Sequence, residues 1–187
     1  MLVDVFILDF QADVPLRAAM SEICQIRWHM EPGCELFTFR SRSERFHIEG
    51  KRKAETISSS PIYVLADNDC LILGEKFVER GVEIIERHPQ YGLLAATSIC
   101  DGHFANGSDR QVLEEVVPMH AVGGVAFVRK GILTDFLPCL PSQVDETICH
   151  EMASKGYQTG SLPGLRFNHL GAGYSLGSPA SWMTVPT

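Results

Sequence analysis

The sequence predicts an α/β fold in which a mixed, mostly parallel central sheet is flanked by helices. Residues 3–8 form an apolar run typical of a buried strand, and residues 35–39 form a second one. Between these runs, apolar residues recur at helical spacing at Leu16, Met20, Ile23 and Ile26. The order of strand, helix and strand is the unit from which parallel sheets are built. A chain of 187 residues with 45% hydrophobic content is long enough for one such fold, and we expect a single domain over residues 1–187.

The rest of the chain continues this alternation. Further strands are predicted at residues 62–65, 92–97 and 123–128, with a short final one at 165–169. A helix follows the third strand, with an apolar face formed by Phe77, Val78, Val82 and Ile85. Another helix opens at Ser142 as a capping box and ends at Gly156.

Three stretches lack a steady period and are predicted to lie at the surface. Residues 40–53 are polar and basic and are expected to form a loop, which leads into one or two helical turns at 54–60. Residues 100–118 are rich in Asp, Gly, Asn and Glu, which predicts a flexible excursion of the kind that often covers a site. The glycine-rich residues 171–187 are expected to form a loose tail.

Composition narrows the class of protein. The net charge of −7 repels phosphate backbones, which argues against a nucleic-acid partner. The six cysteines form no CxxC pair, so we interpret them as buried, reduced thiols. No stretch approaches the roughly 20 apolar residues that a membrane-spanning helix needs. We therefore expect a cytoplasmic protein without a membrane span.

The most informative motif is Asp67-Asn68-Asp69, which follows the third apolar strand. Two carboxylates one residue apart at a strand end can hold Mg²⁺ or Mn²⁺, which prefer oxygen ligands. Asp and Asn are also favoured turn residues, so a turn without a cation explains the motif equally well when it is taken alone. Position favours the site, because ligands of open α/β sheets bind outside the carboxyl ends of the strands.

Four segments in order resemble those of a compact GT-A glycosyltransferase of the family-two type. They are residues 64–69 with the DxD motif, the glycine-bearing residues 122–130, the acidic helix start at 144–146 followed by Gly156-Tyr157, and Phe167-Asn168-His169. Each segment is weak by itself, and the ordered set is moderately specific. The resemblance spans residues 3 to about 173 and implies a Rossmann-like GT-A fold.

The resemblance also implies roles for particular residues. Asp69 would ligate Mn²⁺ or Mg²⁺ directly, Asp67 would contact the ribose or a metal-bound water, and His169 would complete the coordination shell. The donor would be a nucleotide-diphosphate sugar, most often a uridine one such as UDP-glucose, from which a hexose passes to an acceptor hydroxyl. A histidine after an apolar strand also serves as a hydrogen-bonded structural residue, which is the alternative for His169.

A general base and the substrate contacts are assigned from the same series. Asp145 or Glu146 would remove the proton of the acceptor hydroxyl, and direct attack would invert the anomeric carbon. Asp145 also occupies the third helical position of the Ser142 capping box, where an acidic residue is favoured without any catalytic role. Further candidate substrate-binding residues are Asp9, Lys51, Arg52, Gly123 and Gly124.

Gly123 and Gly124 would let the backbone approach the donor sugar, or would only relieve crowding where a loop enters a strand. One of Lys51, Arg52 and Lys53 would meet the diphosphate or the base, although runs of charge are commonly just solvated. The second strand ends in Arg40-Ser41 instead of the acidic residue with which the family commonly contacts uracil, so the base stays open. The acceptor and retention of configuration stay open as well.

Two other functions fit the predicted fold. A nucleotidyltransferase that makes nucleotide sugars would normally carry a glycine-rich loop with Lys or Arg after the first strand, and residues 9–13 have neither. A non-catalytic module that binds the nucleotide or the sugar would keep the fold without turnover. Nucleotide-sugar binding without a product would distinguish it from the enzymes.

Overall fold

The computed structural model describes residues 2–10, 15–41, 46–100, 103–104, 115–119, 123–135 and 144–169. The strands are β1 (Val3–Phe10), β2 (Cys34–Ser41), β3 (Ile62–Asp67), β4 (Cys70–Leu73), β5 (Tyr91–Cys100), β6 (His103–Phe104), β7 (Val117–Pro118), β8 (Val125–Arg129) and β9 (Gln158–His169). The helices are α1 (Pro15–Met30), α2 (Phe46–Ile57), α3 (Phe77–Arg87) and α4 (Val144–Ser154), with a 3-10 turn at Leu133–Asp135. Within these residues, no helix is both long and apolar enough to cross a membrane.

The strands form one mixed sheet in the order β2-β1-β3-β8-β5-β9-β4, with β6 paired to β5 and β7 to β9. β1 pairs in parallel with β2 and with β3, and β5 pairs in parallel with β9. β8 runs antiparallel between β3 and β5, and β4 runs antiparallel to β9. The predicted α/β class with a mostly parallel sheet is confirmed.

Alternating residues of the strands build one core on each face of the sheet. Val5 and Ile7 pack on the face that carries α1 and α3, and Phe6 and Leu8 pack on the face that carries α2 and α4. On the first face the Trp28 and Phe77 rings meet edge to face, with centroids 5.6 Å apart. The sheet is thus covered on both faces, as parallel strands with apolar residues at every position require.

The loop predicted at residues 40–53 is wrong over much of its length, because α2 begins at Phe46 and continues to Ile57. The helix buries few large apolar side chains, chiefly Ile48, together with Ala54 and Glu55. Glu55 accepts hydrogen bonds from the Tyr63 hydroxyl at 2.8 Å and from the Gly131 amide at 2.5 Å. The buried face of α2 thus includes Gly50 and the Glu55 carboxylate, so the sequence of this helix shows no clear apolar period.

Strand β4 was not predicted, and β9 is longer than the short segment expected at its end. In the stretch predicted as a flexible excursion, His103–Phe104 pairs with β5 and Val117–Pro118 pairs with β9. The rest of that stretch, and the tail from residue 171, lie outside the described residues. Two short ladders therefore anchor the described parts of the excursion to the sheet.

Candidate functional site

The predicted site residues come to one edge of the sheet because β1, β2 and β3 run in parallel. The register places Asp9 beside Arg40 on β2, and Leu8 beside Asp67 on β3. His169 ends β9 and lies opposite Cys70, the first residue of β4. The carboxyl ends of these strands thus surround the Asp67-Asn68-Asp69 turn, which is where ligands of open α/β sheets bind.

A bend in β9 brings its last residues back to this turn. The pairing with β5 jumps from Ala96 with Leu162 to Thr97 with Arg166, so residues 163–165 bulge out of the ladder. Such a bulge bends the strand that carries it. Beyond the bulge, β4 pairs with the end of β9, and the chain from Asp69 leads directly into β4.

Asp69 and His169 are in direct contact at the centre of this arrangement. The His169 Nε2 lies 3.1 Å from the Asp69 Oδ1. The Asp69 side chain is 11% exposed and that of His169 is 31% exposed. Asp69 is therefore nearly buried, and solvent reaches the pair chiefly at His169. The two residues that the sequence assigned to one metal site are therefore adjacent.

Cys70 joins this pair. One carboxylate oxygen of Asp69, the Cys70 Sγ and one ring nitrogen of His169 all lie within 4.8 Å of one another. Burial, with the nearby Asp67 and Asp69 carboxylates, raises the pKa of the Cys70 thiol well above its ordinary value, so the thiol is protonated when no cation replaces the proton. A carboxylate, an imidazole and a thiol are all established ligands of divalent cations, and the cluster fits such an ion.

Asp67 is not one of these three ligands, although its carboxylate is close enough to contribute to the raised pKa of Cys70. It lines a small cavity together with Lys51, Gly123 and Gly124, and the cavity floor includes Leu8 and Leu65 from the α2 and α4 face of the sheet. The backbone amide of Asp67 donates to the Gly124 carbonyl at 2.8 Å. Asp67 therefore lies close to the three-ligand cluster and also borders this cavity.

The basic residues 51–53 of α2 have different surroundings. Lys51 lines the cavity beside Asp67, whereas Arg52 is exposed. The Lys53 ammonium lies 4.7 Å from the centre of the Phe39 ring, as in a cation–π contact. Of the three basic candidates, Lys51 is the one that lines the cavity.

Asp9 is buried and each of its carboxylate oxygens has a partner. The Asn68 amide donates a hydrogen bond to Oδ1 at 2.8 Å, and the Arg40 Nε forms an ion pair with Oδ2 at 2.9 Å. The Asn68 backbone amide also donates to the Leu8 carbonyl at 3.2 Å. Asn68 thus connects the turn to β1 through its side chain and its backbone.

Gly124 is the glycine whose surroundings explain its identity. Its φ of +72° favours glycine, and a Cβ at this position would lie 2.2 Å from the Phe167 Cζ. The space that the missing side chain leaves is filled by the Phe167 ring, and Phe167 precedes His169 by two residues on the same face of β9. Gly124 therefore allows the end of β9 to pack closely over the start of β8.

The two candidate bases lie in the first turn of α4, which begins at Val144. Their side chains, those of Asp145 and Glu146, are outside what the structure describes, as is Ser142 of the predicted capping box. The choice between Asp145 and Glu146 stays a prediction.

Sequence reasoning missed three residues of this edge, namely Cys70, Asn68 and Arg40. A signal for Cys70 was present, because the apolar run Cys70–Leu73 between a turn motif and Gly74 is typical of a short strand. Nothing local to Arg40 or Asn68 indicates their contact with Asp9, because it depends on the register of three strands.

No protein-family model and no curated protein matches this chain. Solved structures share its fold at low identity. A197 from STIV is 13% identical with a TM-score of 0.57, over 90% of this chain and 85% of that chain. A UDP-glucose pyrophosphorylase from Acinetobacter baumannii is 10% identical with a TM-score of 0.56, over 97% and 80%. GalNAc-T7, solved with UDP, GalNAc and Mn²⁺, is 10% identical with a TM-score of 0.53, over 90% and 44%.

The chain therefore has the Rossmann-like fold that is found in enzymes of nucleotide sugars, consistent with the predicted GT-A-like architecture. At these identities the likeness concerns the fold, and the chemistry has to be argued from the site.

Proposed function

We propose that this protein is a metal-dependent glycosyltransferase that moves a hexose from a nucleotide-diphosphate sugar, such as UDP-glucose, to an acceptor hydroxyl. The observation that carries the proposal is the contact between the Asp69 carboxylate and the His169 imidazole, 3.1 Å apart at the carboxyl ends of the strands. These residues are distant in sequence and both were expected at a metal site. GalNAc-T7, which shares the fold, was solved with UDP and Mn²⁺.

In this proposal Asp69 and His169 hold the cation, either Mn²⁺ or Mg²⁺. The cation supplies positive charge that stabilises the departing diphosphate. Lys51 and Asp67 border the adjoining cavity, where the ammonium meets a donor phosphate and the carboxylate meets the ribose or a metal-bound water. Gly123 lines the same cavity without a side chain, which allows the donor sugar to approach the backbone.

A carboxylate at the start of α4 acts as the general base. Asp145 and Glu146 are the two candidates, and either would take the proton from the acceptor hydroxyl as its oxygen attacks the anomeric carbon. Attack from the face opposite the diphosphate gives inversion. Replacement of each residue by its amide, with turnover as the readout, would distinguish the base from the residue that serves the helix terminus.

A nucleotidyltransferase that makes nucleotide sugars is the second candidate. It is favoured by the likeness to UDP-glucose pyrophosphorylase, which covers 97% of this chain. In that reaction a sugar phosphate attacks a nucleoside triphosphate and pyrophosphate departs. The two candidates thus differ in the leaving group, which makes them separable in one set of assays.

The test is to incubate the protein and Mn²⁺ with UDP-glucose and related donors, and separately with UTP and glucose 1-phosphate. Release of UDP from the donor, lost in Asp69→Asn and kept in the exposed-carboxylate control Glu86→Gln, supports the glycosyltransferase. Release of pyrophosphate from the second mixture supports the nucleotidyltransferase. Tight donor binding without either product would instead indicate a binding module, and the absence of nucleotide binding would contradict all three.

A further inference from the structure

Cys70 is placed to contact a cation together with Asp69 and His169. Cys70 and His169 are directly opposed in the antiparallel ladder between β4 and β9, so their side chains project from the same face of the sheet. Asp69 immediately precedes Cys70 and its carboxylate already reaches the His169 ring. The sulfur, nitrogen and oxygen atoms of the three residues lie within 4.8 Å of one another.

The types of these atoms bear on which ion they select. Mg²⁺ prefers oxygen ligands, whereas thiolate and imidazole ligands favour Zn²⁺ and neighbouring transition metals. For a mixed N, O and S site, affinity generally rises from Mn²⁺ to Co²⁺. Three protein ligands also leave a coordination position open for a water or a substrate oxygen, as in catalytic zinc sites.

The other described thiols of this core, Cys24 and Cys34, are not among the three clustered ligands. Cys24 on α1 accepts a hydrogen bond from the Trp28 indole nitrogen at 3.0 Å. Among the described residues of this face, Cys70 is therefore the sulfur that the ladder presents to His169.

We propose that Cys70 is the third protein ligand of this site, and that the Asp69, Cys70 and His169 site binds Zn²⁺ or Co²⁺ more tightly than Mg²⁺. This inference rests on the metal site of the proposed function and names the ion that the site selects. The cation enters from the side of His169, the most exposed of the three, and displaces the thiol proton to solvent as the metal–sulfur bond forms. With three protein ligands, the ion would have a coordination position left for a donor phosphate oxygen.

The test is to titrate the metal-free full-length protein with Co²⁺ and record the absorption spectrum. A thiolate bound to Co²⁺ produces a near-ultraviolet charge-transfer band that oxygen and nitrogen ligands do not. We expect this band in the wild type and its loss in Cys70→Ala, with Zn²⁺ affinity reduced at least about tenfold. The matched control is Cys149→Ala, which removes a buried thiol from the opposite face of the sheet and should keep the band.

The outcomes separate this inference from the proposed function. Binding of Co²⁺ without the band, or with equal affinity in wild type and Cys70→Ala, would overturn the sulfur ligand and leave the Asp69 and His169 site intact. Affinity for Mg²⁺ equal to that for Zn²⁺ would overturn the proposed selectivity. Failure of the wild type to bind any divalent cation would overturn both proposals.

A second measurement covers the case in which Cys70→Ala does not fold. X-ray absorption at the zinc edge of the wild-type protein should show a sulfur neighbour at about 2.3 Å, the usual zinc–thiolate distance. The Cys149→Ala protein should give the same spectrum. A first shell of oxygen and nitrogen alone would overturn the proposal without recourse to the Cys70 variant.

Discussion

At the end of β1, both oxygens of the Asp9 carboxylate have a partner: the Asn68 amide donates a hydrogen bond to one, and the Arg40 guanidinium forms an ion pair with the other. Asn68 separates the two aspartates of the motif, so its bonds to Asp9 and to the Leu8 carbonyl hold the turn that carries Asp69. Asp9 therefore acts on the site by positioning this turn. The resemblance predicted Asp9 as a substrate contact, and the occupied carboxylate oxygens give it a structural task as well.

The two partners of Asp9 differ in burial, which leads to a prediction. Asn68→Ala leaves a buried carboxylate oxygen without its partner and should lower the free energy of unfolding by about 1–3 kcal/mol. Arg40→Ala removes a guanidinium whose side chain is 59% exposed, so water can take its place at the Asp9 Oδ2, and we expect a smaller cost of about 1 kcal/mol or less. Urea unfolding of both variants measures the difference. Equal costs, or a larger cost for Arg40→Ala, would contradict this view of Asp9.

Among the elements, the position of the end of β9 depends on Gly124, the residue just before β8. Because Gly124 has no side chain, the Phe167 ring packs against its backbone, and His169 follows two residues later. The bulge at residues 163–165 bends β9 toward this contact. Together they bring the imidazole to Asp69.

Gly124→Ala should therefore disturb both stability and the site. The added methyl group meets the Phe167 ring and the residue must hold a positive φ, so we expect a loss of at least about 2 kcal/mol in the free energy of unfolding. The matched control is Gly156→Ala, which has a φ of +80° and open space around the added Cβ. It should cost only about 1–2 kcal/mol, for the backbone alone.

Denaturant unfolding and Mn²⁺ titration of the two glycine variants supply the comparison. Metal affinity should fall in Gly124→Ala and stay at the wild-type value in Gly156→Ala. If both variants lose the same stability and neither loses metal affinity, Phe167 packing does not position His169.

Another link between elements lies at the opposite end of β1, where Asp4 binds the segment between α2 and β3. Its Oδ2 accepts hydrogen bonds from the Ser58 hydroxyl at 2.9 Å and from the amides of Ser59 and Ser60 at 2.6 and 3.1 Å. Burial alone would raise the pKa of Asp4, but these hydrogen bonds outweigh it and the pKa is lowered. The carboxylate is therefore more stable in the folded chain than in the unfolded one.

A lowered pKa in the folded state means that the stabilisation is present above the unfolded pKa of about 3.9 and is lost as the pH falls through the folded value. We expect Asp4→Asn to be less stable than wild type at pH 7, and its stability to change less below about pH 4. Unfolding monitored by circular dichroism from pH 7 to pH 2 measures both, with Glu86→Gln as a surface control. Parallel curves for wild type and Asp4→Asn would exclude the Asp4 contribution.

The elements also show where sequence patterns lose their information. Strands β1, β3, β5 and β8 carry apolar residues at nearly every position, and all were predicted. Helix α2 buries Ile48 among small and polar residues, so it lacks an apolar stripe, and β4 is a strand of four residues beside a turn motif. Helix α2 and strand β4 were missed because their burial depends on contacts with distant parts of the chain, and such contacts leave no local periodicity in the sequence.

At the scale of the whole molecule, the fold was predictable and the assembly of the site only partly so. Asp69 and His169 were named from motif order, but their contact requires β4 to pair with β9 and β9 to bend, and neither feature was predicted. The same missing pairing hid Cys70, which the sequence classed with the other buried thiols. Solved structures with 10–13% identity share the fold, and the particular site of this chain rests on its own residues.

A metal-dependent nucleotide site can be tested by calorimetric titration of UDP into the protein with and without Mn²⁺. We expect Mn²⁺ to strengthen UDP binding at least about tenfold, which is within the usual range of coupling between two bound ligands. Asp69→Asn and His169→Gln should each abolish this gain, while Glu86→Gln should retain it. UDP binding that is independent of the cation, or a gain that survives in both site variants, would contradict a metal-dependent nucleotide-sugar site at this edge of the sheet.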